Sequence, residues 1–122
     1  MLTKNFHIDE FKCNDGTEVP QEYRNNVIDL ATNLQVLRDY LGKPIYINSG
    51  YRSPEYNAKV GGAKRSQHKL AKAADIVVKG MTPTEVADAI EKLIKEGKMK
   101  HGGLGRYKTF THYDVRGWNA RW

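Results

Sequence analysis

Between Tyr23 and Leu41 the apolar residues return every three or four positions, at Tyr23, Val27, Leu30, Leu34, Leu37 and Leu41. At 3.6 residues per turn they form one stripe, and such a stripe must be buried against something else. Pro20 stands where a helix opens, with Gln21 and Glu22 in the first turn. Gly42 follows the last stripe residue and Pro44 comes two positions later, a usual stop signal. The spacing predicts a helix from Pro20 to Leu41 that forms the backbone of the core.

The remaining elements arrange themselves around that helix. Residues 5–19 read as an irregular lead-in with turn chemistry at Asp9, Asn14, Asp15 and Gly16. Ile45-Tyr46-Ile47 is rich in β-formers and runs into Asn48-Ser49-Gly50, a strand entering a loop. Residues 51–72 are polar and loop-like, with a short helix expected after Pro54; a loop this long in a compact domain is commonly functional. Ala73 to Val78 reads as a buried strand. Thr82-Pro83-Thr84-Glu85 is a capping box that opens a second helix, with Val86, Ala89, Ile90, Leu93 and Ile94 as its stripe and Gly97 as its stop. Two short strands are expected near Gly103–Tyr107 and Phe110–Val115. Adjacent strands at the end imply antiparallel pairing. The expected class is α+β, a small antiparallel sheet flanked by two main helices.

With 122 residues the chain suits one domain, 1–122, with one core. Cys13 is its only cysteine, which rules out an internal disulfide and reads as a small buried apolar residue. No apolar run approaches the roughly 20 residues of a membrane span. The stretch Met1 to His7 carries no apolar h-region, so no signal peptide is visible; a phage or prophage lysis product, or a truncated secreted protein, fits that pattern. The formal net charge of +6 favours an anionic partner. Nucleic acid is not the expected one, because Lys and Arg are scattered rather than striped on a helix and no aromatic platform motif is present. The bacterial wall, with its anionic polymers and peptide carboxylates, is another candidate.

The residues that carry chemistry are His68, Asp75, His112 and Asp114. A catalytic zinc site takes three protein ligands and leaves one position open. Asp75 interrupts the apolar run Ala73-Ala74-Asp75-Ile76-Val77-Val78, where a carboxylate is costly unless paired or metal-bound. His68, at the end of the preceding loop, is within reach of it. Strand alternation puts Phe110, His112 and Asp114 on one face, which offers Asp114 as a general base beside His112. Spacing alone leaves alternatives open. Asp75 could cap a turn or pair with Arg52, Asp114 could pair with Arg116, and each His could be a surface residue.

Ordered motifs run through the chain: Ser49-Gly50-Tyr51-Arg52-Ser53 with Asn57, Gly61-Gly62, Ser66-Gln67-His68, Ala73-Ala74-Asp75-Ile76, and His112-Tyr113-Asp114-Val115-Arg116. Together they resemble the zinc D-Ala-D-Ala carboxypeptidase family, which includes vancomycin-resistance D,D-peptidases, phage endolysin L,D-endopeptidases and the Hedgehog-type fold. The closest branch is the short form found in bacterial and phage wall hydrolases, and the resemblance covers nearly the whole chain. It implies a Hedgehog/DD-peptidase-like fold, a zinc ion (Zn2+) held by His68, Asp75 and His112, and an Arg52 that stabilises an oxyanion or binds a substrate carboxylate. Ser66 falls at the family's substrate-contacting Ser.

Two departures stand out. Many members carry Gly where this chain has Lys72 or a neighbour. The vancomycin-resistance branch has a Glu three residues before its final His, where this chain has Thr109, which cannot act as a base. The base is therefore assigned to Asp114 from strand geometry, with His101 a distant alternative. The implied activity is zinc-assisted hydrolysis of peptidoglycan stem or cross-link peptides, as a D,D-carboxypeptidase or endopeptidase and in one version a phage endolysin. Asp114 would take the proton of the attacking water and Arg52 would face the oxyanion. The expected partner is the wall peptide, and the protein is expected to be a monomer acting at the wall. The rival is a non-catalytic zinc-containing wall-binding module of the same fold.

Overall fold

A computed structural model describes all 122 residues. The long stripe folds as its spacing requires. A 3-10 turn at Gln21–Tyr23 leads into α1, Arg24–Leu41. Val27, Leu30, Leu34 and Leu37 are fully buried, while Tyr23 and Leu41 pack against the core from its edge. Gly42 ends α1 with φ 63°, the left-handed conformation that lets its N–H donate to the Arg38 carbonyl. A short helix α2, Pro54–Lys59, starts at Ser53, whose hydroxyl accepts from the Tyr56 N–H. The last helix α3, Pro83–Lys95, has both halves of its capping box: Thr82 Oγ1 accepts from the Glu85 N–H and Glu85 Oε1 accepts from the Thr82 N–H. Ala87 is fully buried in its stripe, whereas Ala89 is only partly so.

Five strands form one sheet in the order β1-β2-β4-β3-β5. They are β1 (Ile45–Ser49), β2 (Ala73–Val78), β3 (Gly103–Arg106), β4 (Thr111–Asp114) and β5 (Ala120–Arg121). Three of the four neighbouring pairs are antiparallel. The fourth corrects the purely antiparallel expectation: the chain turns back after β4 and lays β5 parallel to β3 at the sheet edge.

The lead-in is also more than irregular. A 3-10 turn at Ile8–Phe11 places Phe11 in the core with Phe6 and Cys13, the two phenyl rings 6.1 Å apart. The core is one cluster of 23 buried residues between sheet and helices. No helix is long and apolar enough to cross a membrane.

What positions the site is the register. A shift between Ile47 and Ser49 sets Ser49 opposite Asp75. Asp75 is opposite His112, and His112 is opposite Gly105. The row Ser49, Asp75, His112, Gly105 therefore crosses four strands. Residues directly opposed on antiparallel neighbours project to the same face, so Asp75 and His112 must meet.

Candidate metal centre

His68 reaches the row from the loop. The 3-10 turn Gln67–Leu70 begins at Ser66, whose Oγ accepts from the His68 N–H at 3.2 Å. The turn ends at Ala71 in the left-handed conformation, φ 58°, which returns the chain to β2. The Arg52 N–H donates to the His68 carbonyl at 2.9 Å and ties the turn to the segment after β1. His68, Asp75 and His112 are all buried, and one ligand atom from each lies within 4.8 Å of the others.

The hydrogen-bond partners decide the state of the two imidazoles. His68 Nδ1 is 2.7 Å from the Gly50 carbonyl, which only accepts, so Nδ1 carries the hydrogen. His68 Nε2 then faces Asp75 Oδ1 at 3.2 Å. His112 Nε2 is 2.7 Å from Asp114 Oδ2, so it carries the hydrogen on that ring, and Nδ1 faces the same Asp75 Oδ1 at 3.2 Å. Two neutral rings would aim their lone pairs at one carboxylate oxygen. A cation is needed between them, either extra protons on the rings or a metal. The 3.2 Å separations also match the edge of a tetrahedron with metal–ligand bonds of about 2.0–2.1 Å, which is about 3.3 Å. The donor set of two His and one Asp, with each imidazole fixed by a second partner, fits zinc.

The electrostatics follow from these contacts. Burial pushes the Asp75 carboxyl up, but hydrogen bonds with His112 and His68 and their positive charge outweigh it and hold the carboxyl well below its usual range. For His112, burial works against charge, while Asp114 and Asp75 favour the imidazolium more strongly and raise the pKa. Asp114 is completely buried. Its burial penalty is outweighed by hydrogen bonds from His112, Arg116 and the Gly103 N–H, which keep it ionised.

Asp114 thus lies behind His112. The Arg116 guanidinium grips both of its oxygens at 2.8 Å, and Oδ1 also accepts from the Gly103 N–H at 2.8 Å. The shared strand face expected from alternation is present, but the carboxylate is turned to the ring and not to the open side of the triad. Both readings of its partner therefore hold together, His112 on one side and Arg116 on the other. Arg52 stands beside the triad. Its guanidinium is 3.3 Å from Asp75 Oδ2 and 3.2 Å from Ser49 Oγ. His101 lies elsewhere, exposed and facing Asn119 Oδ1 at 2.9 Å.

The triad floors an open cleft of about 580 Å³. One wall comes from the loop and carries Arg52, Arg65, Ser66 and Gln67; the other carries Tyr107, Phe110, Arg116 and Trp122. Asp75 is the one carboxylate among its lining residues. Trp122 and Tyr107 were not legible as site residues, since nothing in a two-residue strand marks its neighbour as facing a cleft. Arg65 had only its nearness to Ser66 as a signal.

A buried two-His, one-carboxylate cage opening onto a cleft, set in an α+β sheet, defines a candidate metal centre. The chain belongs to the peptidase M15 family, whose model matches residues 4–114. It is 43% identical over 54 residues, 43% of its length, to the zinc D-Ala-D-Ala carboxypeptidase of Streptomyces albus G, and the match spans 21% of that relative. Among solved structures it is similar to the L-Ala D-Glu endopeptidase ChiX of Serratia marcescens, at 19% identity and a TM-score of 0.49, over 80% of this chain and 88% of that one.

Proposed function

We propose that this chain is a zinc-dependent peptidase that hydrolyses peptidoglycan peptides at the bacterial wall. The observation that carries the reading is the acceptor-against-acceptor geometry of His68 and His112 around Asp75 Oδ1, which calls for a cation at the floor of an open cleft. Membership of the peptidase M15 family supports it, and the zinc carboxypeptidase relative supports zinc as the metal. His68 Nε2, Asp75 Oδ1 and His112 Nδ1 would hold the ion. When bound, zinc supplies Lewis acidity, polarising the scissile carbonyl and making water nucleophilic near neutral pH.

The chain's own groups do the rest. Arg52 keeps a fixed positive charge at the triad's edge, placed to face the oxyanion that develops on the carbonyl oxygen. Its contact with Asp75 Oδ2 also turns Asp75 so that Oδ1 meets the two imidazoles. The Gly50 carbonyl and Asp114 fix the two ring orientations, and the negative charge of Asp114 strengthens His112 as a donor. Ser66 and Arg65, on the loop wall, are placed to bind peptide polar groups and carboxylates. Asp114 serves as a positioning residue, its oxygens being committed to His112, Arg116 and Gly103.

A second reading is a zinc-holding recognition module without catalysis. It is favoured by one observation: no carboxylate besides Asp75 lines the cleft, and Thr109 offers none. Mass spectrometry of muropeptides after digestion, with and without a chelator, separates the two. The peptidase reading expects new products that vanish with chelator and return with zinc. An unchanged muropeptide profile would overturn catalysis, and products insensitive to chelator would overturn the metal.

A further inference from the structure

Asn57 and Gly62 stand in the ordered motifs of the sequence, yet neither belongs to the metal cage. Asn57 lies in α2 and is only 3% exposed. Its side-chain amide faces two partners of opposite kind. Nδ2 donates to the Ala63 carbonyl at 2.9 Å, and Oδ1 accepts from Arg52 Nη1 at 3.4 Å. A carbonyl only accepts and a guanidinium only donates, so the amide has one orientation. The Asn57 backbone carbonyl accepts from the Gly62 N–H at 2.8 Å, and the Ala63 carbonyl also accepts from the Ser66 N–H at 3.1 Å. One residue thus pins the start of the loop wall that carries Arg65 and Ser66.

The same amide completes the hold on Arg52. Nε donates to Ser49 Oγ at 3.2 Å and Nη2 to Asp75 Oδ2 at 3.3 Å, while Nη1 takes Asn57. Each of the three nitrogens therefore has its own acceptor. Ser49 and Asp75 are opposed residues of the sheet; Asn57 adds the anchor that lies outside it. Three separate anchors fix the plane of a rigid group. Three of the five N–H donors are then committed, leaving one on each Nη, and Arg52 lines the cleft. Gly62 makes room for this meeting. A Cβ there would collide with Asn57 Oδ1 and stand 3.1 Å from Arg52 Nη1.

Resting on the peptidase reading above, we propose that Asn57 is a positioning residue that locks the plane of Arg52 to the loop wall, with Gly62 leaving space for the contact. The cation that faces the developing oxyanion then keeps one aim relative to the wall that receives the peptide. That aim matters, since a misplacement of about 1 Å at a reacting centre can cost about 100-fold in rate. Aspartate is no substitute, because its second oxygen would turn an acceptor against the Ala63 carbonyl.

Nitrogen-15 NMR of the zinc-loaded protein reads the lock directly, with Arg52 assigned by the signals lost in Arg52→Lys. A held guanidinium shows separate Nη–H signals, and a free one shows them averaged by rotation. Separate signals are expected in the unmodified protein and averaged ones in Asn57→Ala. Gly62→Ala keeps Asn57 but pushes its amide off Arg52, so it should do the same, and it serves if Asn57→Ala does not fold. On stem peptides, Asn57→Ala should lower kcat about tenfold with zinc content unchanged. In an Arg52→Ala background it should lower kcat no further. Equal loss in both backgrounds overturns the proposal, since Asn57 would then only support the fold. Averaged Arg52 signals in the unmodified protein, or separate signals kept in both variants, overturn it as well. If the unmodified protein cleaves no peptide, the peptidase reading fails by itself, and the NMR comparison still decides the Asn57 lock.

Discussion

The side chain of Asp114 stands 2.7 Å from the far nitrogen of His112, on the same face of the same strand. In the proposed centre that contact would make Asp114 a support for a metal ligand. Asp114→Asn keeps an acceptor for the His112 N–H but removes the charge that Arg116 and the Gly103 N–H also use. We expect zinc affinity to fall about 10–100-fold, while kcat at saturating zinc stays within about tenfold. A base at this position would instead cost about 100–10,000-fold in kcat at full zinc occupancy. Competition with a chromophoric chelator, run beside steady-state kinetics, distinguishes the outcomes.

In the proposed centre protons and zinc would compete for the cage. The folded pKa of His112 is raised above its ordinary 6.5. Its protonated form therefore stabilises the metal-free fold fully below about pH 6.5, and that stability is lost as pH rises through the folded value. Zinc needs the unprotonated ring, so its affinity climbs through the same window. Melting curves with zinc and with chelator, from about pH 5.5 to about pH 8.5, should diverge as pH rises. A constant gap would contradict the assignment of His112 as a ligand.

Arg52 has two contacts at the centre, and they separate experimentally. Arg52→Ala should lower kcat about 100–1,000-fold by removing the charge that faces the oxyanion. Arg52→Lys restores charge but not the planar guanidinium that reaches both Ser49 and Asp75, so it should recover only part of the rate. Zinc content measured by mass spectrometry should stay near one ion per chain in both variants. A rate restored fully by lysine would mean that charge alone is at work.

Ala71 is the one non-glycine residue with positive φ, and it lies fully buried directly after the turn that carries His68. Glycine takes this conformation freely, so Ala71→Gly should change stability by no more than about 1 kcal/mol, relief of strain offsetting the lost methyl and the freer unfolded chain. Ala71→Val should cost more than about 2 kcal/mol, because a β-branched side chain is poorly tolerated there. Zinc affinity should drop with it as His68 shifts. Chemical denaturation with a parallel zinc titration measures both.

The stripe of α1 and the capping box of α3 were legible because each is a local pattern with one physical solution. The Ala73–Val78 strand was legible for a related reason, its lone carboxylate demanding a partner. Other features depend on how distant segments meet. Strand β5 has two residues and no alternation, and its parallel pairing comes from a return path set by Gly117 and the Arg121–Glu91 contact. Alternation put Asp114 on the His112 face but could not say which way its carboxylate turns; Arg116, two residues on, settles that. Ala71, beside Lys72, takes a positive φ that had no visible marker in the sequence.

The row Ser49, Asp75, His112, Gly105 has one more implication. Two of the three proposed ligands hang from directly opposed positions on the ladder of β2 and β4, so the backbone would cast the cage before any ion arrives. A zinc finger collapses when stripped; this centre should instead behave like an empty socket, keeping its shape through repeated unloading and refilling. Its working state would then follow the zinc activity of the surrounding medium rather than the history of the chain's folding.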